Sequence, residues 1–90
     1  MPESVQETVS AHLDHGGDCL DKGKYDDAIA EYDKAIALDP NVALAYTNRG
    51  LAYAEKGEVD RAIADFTKAL EIDPSDQLTK NNLKRLGVTS

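Results

Sequence analysis

The chain has no tryptophan, one phenylalanine, one cysteine and only three prolines in 90 residues. Each scarcity closes off a class of answer. A lone Cys19 rules out an internal disulfide framework and suits a reducing compartment. With so few aromatic residues, the core must be built mainly from Ala, Leu, Ile and Tyr. No run is long and apolar enough to span a membrane. The opening Met-Pro-Glu-Ser-Val-Gln-Glu-Thr has neither a basic start nor an apolar stretch, so no signal peptide is expected and the expected location is cytoplasmic. Basic residues are also scarce: 10 Lys and Arg against 17 Asp and Glu leave a net charge of −7. Phosphate binding needs a basic footprint, so nucleic acid is not an expected partner, and without a spanning run neither is a membrane.

The charge is uneven. Residues 9–42 carry −5, residues 43–76 carry −3, and the segment from Gln77 carries +3 through Lys80, Lys84 and Arg85. A solvated acidic surface that maintains solubility is the plainer reading. An acidic body with a basic end also suits head-to-tail contact between molecules.

What the chain does have is a repeat at a spacing of 34 residues. Val9–Val42 laid over Ala43–Asp76 pairs Ala11 with Ala45, Gly16 with Gly50, Lys22-Gly23 with Lys56-Gly57 and Asp26 with Asp60. It also pairs Ala28-Ile29-Ala30 with Ala62-Ile63-Ala64, Lys34-Ala35 with Lys68-Ala69, and Asp39-Pro40 with Asp73-Pro74. One such unit cannot bury its own apolar face. Stacked copies can, and they form a curved surface rather than a closed pocket. The repeat therefore favours binding over catalysis.

Each copy reads as two helices. Val9, His12, Leu13, Cys19 and Leu20 recur at helical spacing, in a helix starting as early as Val5. Gly23 suits the left-handed position that ends it. Acids at Asp26 and Asp27 open the next helix, whose stripe is Ala28, Ile29, Tyr32, Ala35, Ile36 and Leu38. Pro40 stops it. The second copy repeats the plan, with helices over Ala43–Lys56 and Asp60–Ile72 and a break at Gly57. Ser75 or Asp76 can cap a last helix carrying Leu78, Leu83 and Leu86, which Gly87 ends. Its polar face suits a terminal cap, and Val88-Thr89-Ser90 is expected to fray.

These residues resemble the tetratricopeptide repeat family, whose 34-residue helix–turn–helix unit places a large residue, Leu-Gly, Tyr, Ala, Phe, Ala and Pro at fixed offsets. The second copy fills those slots with Tyr46, Arg49-Gly50, Tyr53, Ala62, Phe66, Ala69 and Pro74. The first fills them with His12, His15-Gly16, Cys19, Ala28, Tyr32, Ala35 and Pro40. Gly16 with Ala28, and Gly50 with Ala62, are expected to let the helices of a unit approach closely. Tyr32 or Phe66 is expected to fill the space between units. Arg49 departs from the pattern, and so do His12, His15 and Cys19. The resemblance implies an all-α solenoid of five helices with right-handed superhelical curvature. The division is a polar lead-in over 1–8, a first unit over 9–42, a second over 43–76, and a capping helix and tail over 77–90.

His12, His15 and Cys19 share one helix face, and imidazole and thiolate are metal ligands. Three ligands on one helix leave coordination incomplete, however, and the spacing matches no standard zinc finger. These side chains fit better as the half-exposed slots of a first helix. His15 and Cys19 lie one turn apart, but no oxyanion feature accompanies them. Gly16-Gly17 lacks the frame of a phosphate loop. No catalytic residue, metal or cofactor is expected.

In the resembled family the first helix of each unit lines a concave groove. That geometry puts Ser10, Leu13, Asp14 and Gly17 in the groove from the first unit. Leu44, Thr47, Asn48 and Leu51 follow from the second, and Leu78, Asn81, Asn82 and Arg85 from the last helix. Amides beside exposed leucines make a peptide dock. One subclass of the family clamps acidic chaperone tails with Lys, Asn, Asn, Lys and Arg. Here only Asn48 fills such a slot, so no such clamp is expected. The partner-binding residues expected are Leu13, Gly17, Leu44, Thr47, Asn48, Leu51, Asn81 and Arg85, and the expected partner is a basic or apolar peptide or protein. A homodimer through the open repeat ends or the groove is one alternative, because two units are fewer than such arrays usually need. A metal-binding or thiol-active protein using His12, His15 and Cys19 is the other.

Overall fold

The computed structural model describes residues 5–88. Residues 1–4 of the lead-in and Thr89-Ser90 of the tail lie outside the described residues. Five helices follow one another: α1 (Val5–Asp21), α2 (Tyr25–Leu38), α3 (Ala43–Glu55), α4 (Val59–Ile72) and α5 (Gln77–Arg85). Helix α1 takes in the second half of the expected lead-in. No strand occurs among the described residues.

Glycine sets the sharp turns. Gly23 has φ +75°, Gly57 φ +83° and Gly87 φ +90°, a region that residues with a Cβ enter only at a cost. At the end of α1 the amide of Lys24 donates to the carbonyl of Cys19 at 2.8 Å, and that of Gly23 to Leu20 at 3.1 Å. This paired closure satisfies carbonyls the helix would otherwise leave orphaned. Glu58 with Tyr53 and Gly57 with Ala54 repeat it after α3, and Val88 with Leu83 repeats it after α5. The proline turns are closed by side chains. Asp39 Oδ1 accepts from the amide of Asn41, and Asp73 Oδ1 accepts from the amide and hydroxyl of Ser75. Of the two capping residues the sequence offers, Asp76 caps α5, accepting from the Thr79 amide and hydroxyl.

Helices α1 and α2 form one antiparallel hairpin, α3 and α4 the next, and α5 leans on α4. Contact runs between neighbours in the chain, with α1 also touching α3. The result is two layers, α1, α3 and α5 in one and α2 and α4 in the other, spanning 47 × 27 × 16 Å. Within each hairpin, close approach is by ring on glycine. A Cβ on Gly16 would sit 2.5 Å from Tyr32 Cε1, and one on Gly50 would sit 2.7 Å from Phe66 Cε1. The glycines thus make room for the aromatic rings of the facing helices, on which Ala28 and Ala62 are also fully buried. Both rings are buried, each contributing roughly 1.5–3 kcal/mol.

Between hairpins, Val9, Ala35 and Ala45 form one buried cluster, and Ala28, Tyr32 and Ala52 another. Leu13 packs against both. Arg49 ties the layers together. Its Nε and one terminal nitrogen donate to the two carboxylate oxygens of Asp65 on α4, each at 2.8 Å, and the other donates to Asp33 on α2 at 2.7 Å. Its guanidinium also lies over the rings of Tyr46 and Tyr53. These partners explain how a cation stands in an apolar slot of the repeat. They hold its pKa above the ordinary value against the opposing effect of burial, the Asp65 hydrogen bonds acting most.

Candidate binding groove

Helices α3 and α5 leave a groove of about 230 Å³ between them. Phe66 is its floor. Leu51, Ala54 and Glu55 form the α3 wall, and Asn82 and Arg85 of α5 with Leu86 just beyond it form the other. The local sequence explains the shape. Gly50 lets the Phe66 ring lie under α3. One turn earlier, the Thr47 and Thr79 hydroxyls share a buried hydrogen bond of 3.0 Å, which fixes the two helices together at that end. The groove opens beyond this clasp. Its apolar floor sits between a carboxylate and a guanidinium, a combination suited to a peptide side chain with polar backbone beside it.

Asn82 is the polar group of most interest. It is 3% exposed. Its Oδ1 accepts from Arg85, while its Nδ2 is buried with no acceptor among the described residues. A buried donor without a partner is costly, so an acceptor arriving from outside finds a gain waiting there.

The residues expected at the groove divide. Leu51 and Arg85 line it. Leu44 and Leu78 occupy equivalent repeat positions and stand 54% and 62% exposed. Asn48 is half-buried, and Asn81 is exposed and accepts from Gln77 at 3.1 Å. Around Gly17 no atom lies within 4 Å of where a Cβ would stand, so that part of α1 faces open space. Two residues stand deeper than a groove lining would. Leu13 is half-buried, packed against both inter-hairpin clusters. Thr47 is 3% exposed and spent on Thr79. The expected stripe of α5 shifts too: Thr79 and Asn82 are its buried residues, and Leu78 points outward. Ala54, Glu55 and Leu86 were not anticipated. The signal was present, since Ala54 and Glu55 lie one helical turn beyond Leu51 on the same face.

His12, His15 and Cys19 do not converge. His12 Nδ1 contacts Glu31 Oε2 at 2.8 Å, His15 is exposed, and Cys19 packs beside the Tyr32 cluster. No group of three His, Cys, Asp or Glu among the described residues is placed to hold a metal ion. The His12 hydrogen bond holds the Glu31 carboxyl below its ordinary value, outweighing burial. No helix of the described residues is long and apolar enough to cross a membrane.

The family model described as "TPR repeat" matches residues 16–57, and that described as "Tetratricopeptide repeat" matches residues 43–76. Among solved structures, the Arabidopsis OM64 TPR domain is similar with a TM-score of 0.86 and 26% identity. That match covers 88% of this chain and 65% of the other, so this chain spans a little under two thirds of its length. The first TPR of Spaghetti (RPAP3), in a structure bound to the HSP90 peptide SRMEEVD, gives 0.58 at 21% identity, covering 90% of this chain and 91% of that one. The first TPR domain of human RPAP3, solved by NMR, gives 0.52 at 20% identity, covering 89% and 90%. At those identities the last two likenesses show the fold alone. A comparison with curated protein sequences finds no match.

Proposed function

Because this chain belongs to the tetratricopeptide repeat family, a family of protein-interaction modules, we propose that it binds an extended peptide segment of a partner along the α1–α3–α5 face. The observation that supports this reading best is the α3–α5 groove, with Phe66 beneath it and the unpaired Asn82 Nδ2 in its wall. The leucines at 44 and 78 give apolar ligand side chains a surface to cover. The Asn82 amide donates to a backbone carbonyl of the ligand. The net charge of −7 disfavours acidic ligands, so a neutral, apolar or basic segment is the expected class. Such a module has no catalytic role, and a reducing, cytoplasmic setting suits its free Cys19.

Selection from a random peptide display library tests this. Peptides chosen on the wild-type chain should lose about tenfold or more in affinity on Leu51→Glu, equal to roughly 1.4 kcal/mol or more. Helicity by circular dichroism should be unchanged. Selected peptides that bind Leu51→Glu equally well move the site elsewhere. A monomer–dimer equilibrium in sedimentation that Leu44→Glu abolishes would show that a second copy occupies the face instead.

A further inference from the structure

A second, more enclosed cleft lies on the other side of α5. It measures about 420 Å³ and is lined by Leu70 of α4, by Gln77, Lys80, Leu83 and Lys84 of α5, and by Val88. The repeat identifies this face. Lys80 stands two repeats after His12, and Leu83 and Lys84 stand one repeat after Arg49 and Gly50. In both complete hairpins the face bearing those slots is covered by the second helix, α2 on α1 and α4 on α3. That covering helix brings an acid each time, and from equivalent positions: Glu31 meets His12 and Asp65 meets Arg49, both at 2.8 Å. On α5 no helix among the described residues covers the face. Lys80 and Lys84 are exposed, and neither joins an ion pair among the described residues.

We propose that this cleft is a docking seat for an acidic amphipathic helix of a partner protein, laid against α5 as α2 lies against α1. The charges select the occupant. Lys80, at the slot of His12, calls for a carboxylate at the position that Glu31 and Asp65 hold in the covering helices. Lys84 fills the slot where Gly16 and Gly50 admit an aromatic ring. It excludes a ring there and favours a second acid. Leu70, Leu83 and Val88 take the apolar stripe between. A second copy docking cleft to cleft would set two basic ends against each other, which repels. This surface is separate from the α3–α5 groove and does not depend on its assignment.

The probe is a dye-labelled synthetic peptide with the α2 sequence, Tyr25–Leu38, carrying Tyr32→Glu. Fluorescence anisotropy against the whole chain should give saturable binding. Lys80→Glu with Lys84→Glu should weaken it about tenfold, and a probe carrying Glu31→Lys and Tyr32→Lys should restore binding to that variant. Leu51→Glu should leave binding unchanged. The idea is overturned by absence of saturable binding, by equal binding to the lysine variant, or by failure of the reversed probe to recover. It is equally overturned if sedimentation shows a dimer that the lysine variant dissociates, since the seat then belongs to a second copy.

Discussion

Arg49 and Asp65 form a two-pronged ion pair between α3 and α4, with Asp65 only 7% and Arg49 21% exposed at the side chain. Removing the acid alone strands a largely desolvated cation. Asp65→Leu should therefore cost about 2–4 kcal/mol in urea unfolding. Arg49→Leu combined with Asp65→Leu should cost less than Asp65→Leu alone, because apolar packing then replaces the pair. A neutral Asp65→Leu would show that Asp33 suffices to hold the guanidinium.

Adjacent glycines in α1 should respond in opposite directions. Gly16→Ala drives a methyl into the Tyr32 ring and should cost about 1–3 kcal/mol. Gly17→Ala meets open space and should gain about 0.5–1 kcal/mol from helix propensity. Thermal melts of the two variants, read side by side, check both signs.

Tyr32 carries a hydroxyl that is buried and unpaired among the described residues, while its counterpart in the second hairpin is Phe66. Tyr32→Phe should then change stability by no more than about 0.5 kcal/mol. Burial pushes the phenol from 10.0 up to about 12, an effect the nearby Asn48 amide offsets in part without closing a hydrogen bond. The folded state thus keeps its proton longer than the unfolded chain. Stability from this source is whole below pH 10.0 and drains away as pH rises toward about 12. In Tyr32→Phe that alkaline loss should vanish; an unchanged alkaline limb would assign it to other groups.

Acid should act through Asp76. The Thr79 hydroxyl bond holds its carboxyl below the ordinary 3.8, so its contribution is present above that value and disappears as pH falls through the depressed one. Stability curves of wild type and Asp76→Asn should draw together as pH falls below 3.8 and separate at neutral pH, with the variant lower. Parallel curves throughout would mean that the cap stabilises equally with its proton on.

Much of this molecule can be read without coordinates, and the reason is local chemistry. The breaks at Gly23, Gly57 and Gly87 and the stops at Pro40 and Pro74 depend on residues within one turn, so their position in the chain decides them. Groove residues such as Leu51 and Arg85 follow from helical phase alone. The half-burial of Leu13 is not legible, because phase gives a direction and not the distance to the next helix, and both clusters reach it. The Arg49 network is hidden for another reason. Its carboxylates lie 16 residues away on either side, and nothing in the local pattern pairs them.

Helix α5 is only nine residues long and rests on α4 alone among the other helices as a packed neighbour, clasped to α3 by one threonine pair. It is therefore the first piece to peel away when the array unzips from that end. Both of its flanks carry a proposed contact. Any ligand that grips either flank acts as a fastener, so occupancy there should register as slowed amide exchange along α5 before it alters the rest of the molecule.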